Sequence, residues 1–341
     1  MRRGRGYSRP WRDGAPQPEP RTWPDVGQAL AGCPTRRASI TRVLADLLIP
    51  WFAEAGRTLP WRGPDVTPYG VLVSEVMLQQ TPVARVEPAY LAWLERWPTI
   101  ADLAAAQPGD AVRMWGRLGY PRRALRLHAA AMACLERHGG ELPTTVAALL
   151  GLPGVGDYTA RAVAVFALGQ RHPVVDTNVR RVIARAIEGR ADALVKKSDL
   201  ALVEALLPAQ EKRAGQVSIA VMELGALICT ARAPQCGRCP LQRRCAWLAA
   251  GRPALAEPIK KTQTYAGTDR QVRGHLLAVL RGSELAVAHT VLAAVWPEPV
   301  QRDRALASLL RDGLVVALGN QTYGLPMSID AEMRTSVPAK Q

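Results

Sequence analysis

The sequence contains no apolar run long enough to span a bilayer, and its opening residues lack the pattern of a secretory signal. Cysteine is scarce as well. Of the six cysteines in 341 residues, Cys33 and Cys134 stand far apart, and the other four lie together near residue 240. These absences argue against a membrane protein. They also make a disulfide framework the weaker interpretation of the four clustered cysteines. We therefore expect a reduced, cytoplasmic protein.

Acidic residues are too few to balance the basic ones, with 29 Asp and Glu against 44 Lys and Arg. The net charge is +15, of which residues 1–37 carry +5 and residues 252–341 carry +3, so residues 38–251 are themselves basic. A polyanionic partner, most simply nucleic acid, fits this balance. An anionic membrane surface fits less well, because no basic amphipathic helix with an aromatic face stands out.

Alternating β-strand patterns are missing until the C-terminal region, whereas segments with helical periodicity begin at Ser39. The fold class we expect is therefore an all-α core followed by a small α+β domain. That last domain shows three helical segments and then two short strands about a Gly-Asn turn, an order that suggests a winged helix. The predicted segments are a disordered basic arm (1–37), the core (38–228), a cysteine loop (229–251), a linker (252–268) and the C-terminal domain (269–341).

Four cysteines with the spacing C-x6-C-x2-C-x5-C indicate a metal centre. Thiolates this close together suit either a structural zinc ion or a [4Fe-4S] cluster, and sulfur ligation alone does not separate the two. The four ligands predicted are Cys229, Cys236, Cys239 and Cys245.

Two further motifs precede this loop. In LPGVGDYTARAV, Gly154 and Gly156 form a tight turn before a helix, where exposed N–H groups can bind a DNA phosphate. The alternative is a glycine turn that only connects two packed helices. In VVDTNVRRV, Asp176 stands directly before a helix start, with Asn178 two residues on. Such an aspartate caps the helix, and capping is compatible with catalysis.

Taken together, the motifs resemble the helix-hairpin-helix DNA glycosylase superfamily that includes endonuclease III, and most closely its adenine DNA glycosylase (MutY) family. The resemblance spans most of residues 40–250 and rests on the segments at 59–83, 114–128, 152–160, 174–182 and 222–245. It implies a [4Fe-4S] cluster rather than zinc. It also implies hydrolysis of the N-glycosidic bond of adenine mispaired with 8-oxoguanine or guanine in double-stranded DNA. We expect a cytoplasmic monomer that is associated with the nucleoid when bound to DNA.

The resemblance also implies roles for four catalytic residues. Glu75 would be the general acid that protonates adenine N7, and its apolar neighbours at 76–78 should raise its pKa. Asp176 would stabilise the cation at C1′, and Asn178 would orient that carboxylate. Tyr158 stands where lyase relatives carry a Schiff-base lysine, so the enzyme should be monofunctional, with Tyr158 contacting both carboxyls.

Chemistry on a base inside a duplex requires flipping, and the vacated stack must be filled. Gln80 and Tyr120 match the wedge positions of the family. The hairpin residues expected at the DNA are Leu152, Gly154, Val155 and Gly156. Plausible phosphate partners, or alternatively parts of a solvated basic face, are Arg117, Arg122 and Arg123.

The C-terminal region departs from the family pattern. Adenine glycosylases typically carry a domain that resembles a phosphohydrolase and reads 8-oxoguanine, but residues 252–341 contain no phosphohydrolase glutamate motif. The sequence therefore leaves open how the lesion is read. Two other functions are considered: a thymine or uracil mismatch glycosylase, and a noncatalytic DNA-structure-binding protein. Glu75 and Asp176 argue against the second, because binding alone needs no carboxylate near anionic DNA.

Overall fold

The computed structural model describes residues 34–191, 198–254 and 265–327. Between residues 34 and 254 the described residues form α-helices and short 3-10 turns without a β-strand, so the predicted all-α core is confirmed. None of the helices that the structure describes is both long and apolar enough to cross a bilayer. The core helices are α1 (Pro34–Ala55), α2 (Pro68–Leu78), α3 (Val83–Arg96), α4 (Ile100–Ala105), α5 (Pro108–Trp115), α6 (Arg122–His138), α7 (Val146–Leu150), α8 (Asp157–Phe166), α9 (Thr177–Ala186), α10 (Ser198–Leu206), α11 (Glu211–Leu227) and α12 (Ala246–Ala249).

Helix α1 begins at Pro34, inside the range 1–37 that was predicted as a disordered arm. The rest of that predicted arm, residues 1–33, lies outside the described residues. So do 255–264 of the predicted linker and 328–341 of the predicted C-terminal domain.

Buried apolar side chains form two main clusters. One contains residues of α2 to α8 together with the C-terminal region, and the other contains residues of α1, α9, α10 and α11 and Leu241 of the cysteine loop. Each cluster is held together by burial of apolar surface. Glu75 lies on a helix of the first cluster, and Asp176 caps a helix of the second. The predicted catalytic residues therefore meet where the two clusters join.

Helix α2 is buried on every side. All nine residues from Tyr69 to Met77 are buried, as expected for a helix that is apolar around its whole circumference. The hydroxyl of Thr67 caps its first turn by accepting from the Gly70 N–H at 3.1 Å, and Pro68 follows at the first helical position. Because Glu75 is part of this helix, its carboxyl is carried into the protein interior.

Helices α7 and α8 form the predicted helix-hairpin-helix. Gly154 has φ of +79°, and a Cβ atom there would lie 2.6 Å from the Cβ of Arg126. The turn thus requires glycine for its backbone conformation and for close packing. Gly156 directly precedes α8 as its N-cap, which leaves the amides of the first turn of α8 available to an anion.

The C-terminal residues form a small α+β module, here residues 265–327. Its elements are α13 (Asp269–Arg281), β1 (Val287–Ala288), α14 (His289–Ala293), α15 (Pro299–Arg311), β2 (Val316–Gly319) and β3 (Thr322–Gly324). The antiparallel sheet has the order β1-β3-β2, with Val287 opposite Tyr323. This element order is that of a winged helix. The sequence analysis missed β1, because two residues are too short for an alternating pattern.

The module packs directly on the core. Arg113 of α5 donates to the carbonyl oxygens of Arg281 at 2.9 Å and Ser283 at 3.2 Å. In return, the Arg281 guanidinium donates to the carbonyl of Val112 at 2.9 Å. The amide of Gly109 donates to the carbonyl of Pro326 at 2.7 Å. Module and core thus share hydrogen bonds as well as one hydrophobic cluster.

Candidate active site

Glu75 is the general acid predicted from the sequence, and this residue is only 7% exposed. Burial above all, together with the nearby charge of Asp176, raises the pKa of Glu75 to about 7, against a hydrogen bond from Tyr158 and the positive charge of Arg62 that lower it. This direction agrees with the prediction made from its apolar neighbours. A carboxyl with this pKa exists in both protonation states near neutral pH, so it can give up a proton and later take one back.

Asp176 caps α9, as the sequence predicts. Its carboxylate accepts from the Val179 N–H at 2.7 Å and from the side-chain amide of Asn178 at 2.8 Å. Burial raises the pKa of Asp176, while these hydrogen bonds and the positive charge of Arg181 act in the opposite direction. Tyr158 donates to Glu75 and lies within electrostatic reach of Asp176, and burial raises the pKa of this phenol well above 10. The three side chains therefore form one group.

Arg181 supports this group through Asn178, a contact that the sequence analysis missed. Its guanidinium donates to the Asn178 side-chain oxygen at 2.5 Å, to the Gly225 carbonyl at 2.7 Å and to the Cys229 carbonyl at 2.6 Å. At Gly225, a Cβ atom would lie 2.7 Å from the Cβ of Asn178. Helix α11 therefore packs directly on the residue that orients Asp176, and the cysteine loop is joined to it by one arginine.

Glu223 is a second residue that the sequence analysis missed. It is fully buried and pairs with Arg57 at 2.7 Å and Arg62 at 2.9 Å. Burial alone would raise its pKa, but hydrogen bonds from the two arginines lower it to about 2. The pair holds the Arg62 guanidinium near Glu75, where its charge favours the carboxylate form. The available signal was a single acid within the apolar segment MELGALI.

The four predicted cysteine ligands come together in one loop. The thiol of Cys239 interacts electrostatically with those of Cys229, Cys236 and Cys245, and burial raises the pKa of Cys239 to about 12. Such thiols lose their protons when they bind metal ions, such as the iron ions of an iron–sulfur cluster. Among the described residues, no three or more His, Cys, Asp or Glu side chains are placed to hold a single metal ion.

The surroundings of the loop also fit a negatively charged cluster. The Arg185 guanidinium lies 3.7 Å from the Cys229 Sγ and 4.7 Å from the centre of the Trp247 ring. Backbone N–H groups of Trp247 and Leu248 point at the Cys245 thiol. Donors of this kind stabilise thiolate ligands and the cluster they bind.

Both predicted wedge residues lie in strained turns. Gln80 and Tyr120 are exposed and have positive φ angles of 54° and 47°. Left-handed backbone at a residue other than glycine costs free energy and is retained where the surroundings impose it. The adjacent Gln79 turns inward and donates to the Thr159 hydroxyl at 3.3 Å. Only Gln80 and Tyr120 of these three thus present their side chains outward.

Arg123 was predicted as a phosphate partner, and the structure corrects this. Its side chain is buried and donates to three carbonyls of the α2 end, those of Val76 at 2.7 Å, Met77 at 3.0 Å and Gln79 at 2.7 Å. It also donates to the Gly119 carbonyl at 3.0 Å. One guanidinium therefore joins the turn of Gln80 to the turn of Tyr120.

The remaining predicted DNA contacts differ in exposure. Leu152 and Val155 have buried side chains, so contacts from these two residues would come from their backbone atoms. Arg122 is half-exposed and forms an ion pair with Asp312 at 3.2 Å, whereas Arg117 is exposed.

The all-α fold, the hairpin and the paired carboxyls define a helix-hairpin-helix DNA glycosylase. Residues 73–205 match the family model described as "HhH-GPD superfamily base excision DNA repair protein". Residues 229–245 match that of the iron-sulfur binding domain of endonuclease III. The structure also resembles a thermostable thymine-DNA glycosylase, with a TM-score of 0.57 and 27% identity over 62% of this chain and 98% of that one. It likewise resembles a non-covalent endonuclease III-DNA complex, with a TM-score of 0.53 and 25% identity over 63% of this chain and 97% of that one.

Curated relatives identify the family within this superfamily. The adenine DNA glycosylase of Mycolicibacterium smegmatis is 53% identical over 293 residues, which cover 86% of this chain and 98% of the relative. The human adenine DNA glycosylase is 42% identical over 209 residues, which cover 58% of this chain and 38% of the human protein. The chain belongs to the adenine DNA glycosylase family, and its cofactor is a [4Fe-4S] cluster.

Proposed function

We propose that this protein is a monofunctional adenine DNA glycosylase that removes adenine mispaired with 8-oxoguanine or guanine in duplex DNA. It acts as a monomer, in the cytoplasm and on the nucleoid. The observation that carries the proposal is the group formed by Glu75, Tyr158 and Asp176, which holds a protonatable carboxyl and an anchored carboxylate side by side.

Glu75 supplies the acid. Neutral adenine is a poor leaving group, and a proton at N7 makes departure of the base feasible. With a pKa of about 7, Glu75 is substantially protonated at neutral pH, which an ordinary exposed glutamate is not. After the base has left, the resulting Glu75 carboxylate accepts a proton from water that attacks C1′.

Asp176 stabilises the sugar. Loss of the base gives an oxocarbenium-like transition state with positive charge at C1′. The Asp176 carboxylate is held by the Val179 amide and by Asn178, so its negative charge is already in place when that charge develops. Arg181 and Gly225 keep Asn178 in position.

Tyr158 limits the reaction to base release. A phenol cannot form a Schiff base with C1′, so no lyase step follows and an intact abasic site remains. The hydroxyl instead donates to Glu75 and stabilises its carboxylate form.

DNA is bound by groups around this site. The amides at the start of α8 suit a phosphate, and Gln80 and Tyr120 are placed to fill the space of the flipped base. The [4Fe-4S] cluster would be held by Cys229, Cys236, Cys239 and Cys245 and would serve as a structural centre for its loop. The basic residues that this loop presents to DNA are Arg232, Arg238, Arg243 and Arg244.

Single-turnover excision tests the proposal. Duplexes holding adenine opposite 8-oxoguanine, adenine opposite guanine, or thymine opposite guanine are each analysed with and without alkali. Adenine release that gives strand breaks only after alkali is the expected result. Breaks without alkali would overturn the monofunctional assignment. Thymine release, or tight binding without release, would point to a mismatch glycosylase or a noncatalytic reader of DNA structure.

A further inference from the structure

The C-terminal module reaches the predicted wedge. The guanidinium of Arg270, in the first turn of α13, lies 5.0 Å from the centre of the Tyr120 ring. The same guanidinium lies 5.9 Å from the ring of Tyr265. Tyr120 also has the buried guanidinium of Arg123 at 5.5 Å from its ring centre. The exposed wedge tyrosine is therefore contacted by two arginines, one from the core and one from the module.

Packing fixes the position of Arg270 relative to this wedge. The module shares a hydrophobic cluster with the core, and Arg113 and Arg281 exchange hydrogen bonds across their junction. A second junction lies close to the wedge, where Arg122 pairs with Asp312 at 3.2 Å. Because these contacts attach the module along its length, Arg270 remains beside Tyr120 without help from the preceding linker.

The charge of Arg270 is available to a ligand. The neighbouring arginines of the module are engaged, since Arg304 pairs with Asp269 at 2.7 Å and Arg273 pairs with Asp312 at 2.6 Å. Arg270 is exposed and, among the described residues, contacts aromatic rings rather than a carboxylate. Contact with a ring face leaves the N–H groups at the guanidinium edge free to donate.

We propose that Arg270 is a specificity-determining residue that binds the purine left unpaired opposite the extracted adenine. This inference rests on the proposed function and deepens it. The chemistry recognised is the O6 edge of a guanine-type base. In guanine the carbonyl O6 lies beside the acceptor N7, whereas in 8-oxoguanine N7 carries a hydrogen and O6 is the acceptor that remains next to it. Arginine binds O6 and N7 of guanine with two parallel hydrogen bonds, and it can donate a single hydrogen bond to O6 of 8-oxoguanine.

The position of the arginine favours a base edge over a phosphate. A wedge side chain enters the base stack, so a guanidinium that lies on its ring is carried to the level of the bases. A phosphate contact requires only a positive charge and no fixed plane, whereas a paired contact to a base requires the plane to be held. The ring of Tyr120 can hold that plane. The module would thus read the opposite strand without any phosphohydrolase-like domain.

Two variants and a control test the assignment. Arg270→Ala removes the contact, and Arg270→Lys keeps the charge but loses the planar fork. Arg311→Ala removes one exposed positive charge from the same module, at the end of α15, and serves as the matched control. Dissociation constants and single-turnover rates are measured on duplexes with adenine opposite guanine, opposite 8-oxoguanine, and opposite 2-aminopurine, which lacks the O6 carbonyl.

We expect both Arg270 variants to weaken binding to the guanine duplex on the order of 10-fold, the size of one good arginine–guanine contact. Binding to the 8-oxoguanine duplex should weaken by less, because one hydrogen bond is lost there instead of two. Binding to the 2-aminopurine duplex should change no more than it does in Arg311→Ala. Equal weakening on all three duplexes, with recovery in Arg270→Lys, would show a phosphate contact and overturn the proposal. Arg270 variants that behave like Arg311→Ala would overturn it as well.

Measurements on the wild-type protein show whether a negative result contradicts the proposed function or only this inference. If the wild type releases adenine from no duplex, the proposed function fails, while the binding measurements still test the preference of Arg270 for a guanine-type base. If the wild type releases adenine and the Arg270 variants weaken binding to all three duplexes equally, or no more than Arg311→Ala does, only the inference fails.

Discussion

Glu75→Gln should abolish excision and at the same time stabilise the protein above neutral pH. The carboxyl of Glu75 has a pKa of about 7 in the folded protein, because burial disfavours its charged form, against an ordinary value of 4.5. The folded state therefore binds this proton more tightly than the unfolded state does. The stability that this bound proton contributes is fully present below about pH 4.5 and is lost as the pH rises through about 7.

The size of the effect follows from that pKa difference. A shift from 4.5 to about 7 is 2.5 units, and at about 1.4 kcal/mol per unit it corresponds to roughly 3 kcal/mol. Glutamine has a similar shape and cannot ionise, so it avoids the cost of a buried charge. At pH 8 the unfolding free energy of Glu75→Gln should exceed that of the wild type by up to about 3 kcal/mol. At pH 4 the difference should be close to zero.

Urea unfolding followed by circular dichroism at pH 4, 6 and 8 measures this difference, and single-turnover excision measures the lost acid. Glu136→Gln, at an exposed position of α6, is the matched control and should show a small difference that does not vary with pH. A stability gain in Glu75→Gln that is equal at pH 4 and pH 8 would refute the raised pKa. Substantial base release by the variant would remove Glu75 from the acid role.

Three further changes, one of them with a matched control variant, test the rest of the site. Asp176→Asn should abolish excision while DNA affinity in a gel-shift assay persists, and a normal rate would exclude its role at the C1′ cation. Tyr158→Phe removes a hydrogen bond that lowers the pKa of Glu75, so the alkaline limb of the pH–rate profile should move to higher pH by roughly one pH unit. An alkaline limb at the wild-type pH would contradict that contact. Arg123→Ala leaves buried carbonyls without donors and should cost about 2 to 4 kcal/mol in urea unfolding. The neighbouring Arg122→Ala should cost less than about 1 kcal/mol, and equal losses would argue against the buried role of Arg123.

Some features of this site could be predicted from neighbouring residues alone. The raised pKa of Glu75 follows from an apolar stretch, and the capping role of Asp176 follows from its place before a helix. The turn at Gly154 is equally local, since a positive φ favours glycine whatever surrounds it. Such features depend on a few consecutive residues and were visible in the printed sequence.

Arg122 and Arg123 show where this local information ends. They are adjacent and identical in type, yet one pairs with the C-terminal module and the other is buried between two turns. The choice depends on which face of α6 the core covers, and the partners of Arg123 lie up to 47 residues away.

The sequence by itself thus determined the helices, and it predicted the four cysteines of the loop as ligands and the two carboxyls as catalytic groups, because periodicity, spacing and motif are properties of short segments. Tertiary structure alone decided that Glu223 holds Arg62 near Glu75, that Arg181 joins Asn178 to the cysteine loop, and that Arg270 meets Tyr120. These contacts join residues far apart in the chain. They exist because the helices bury their apolar faces in two clusters that meet at the site, and that packing is a property of the whole chain.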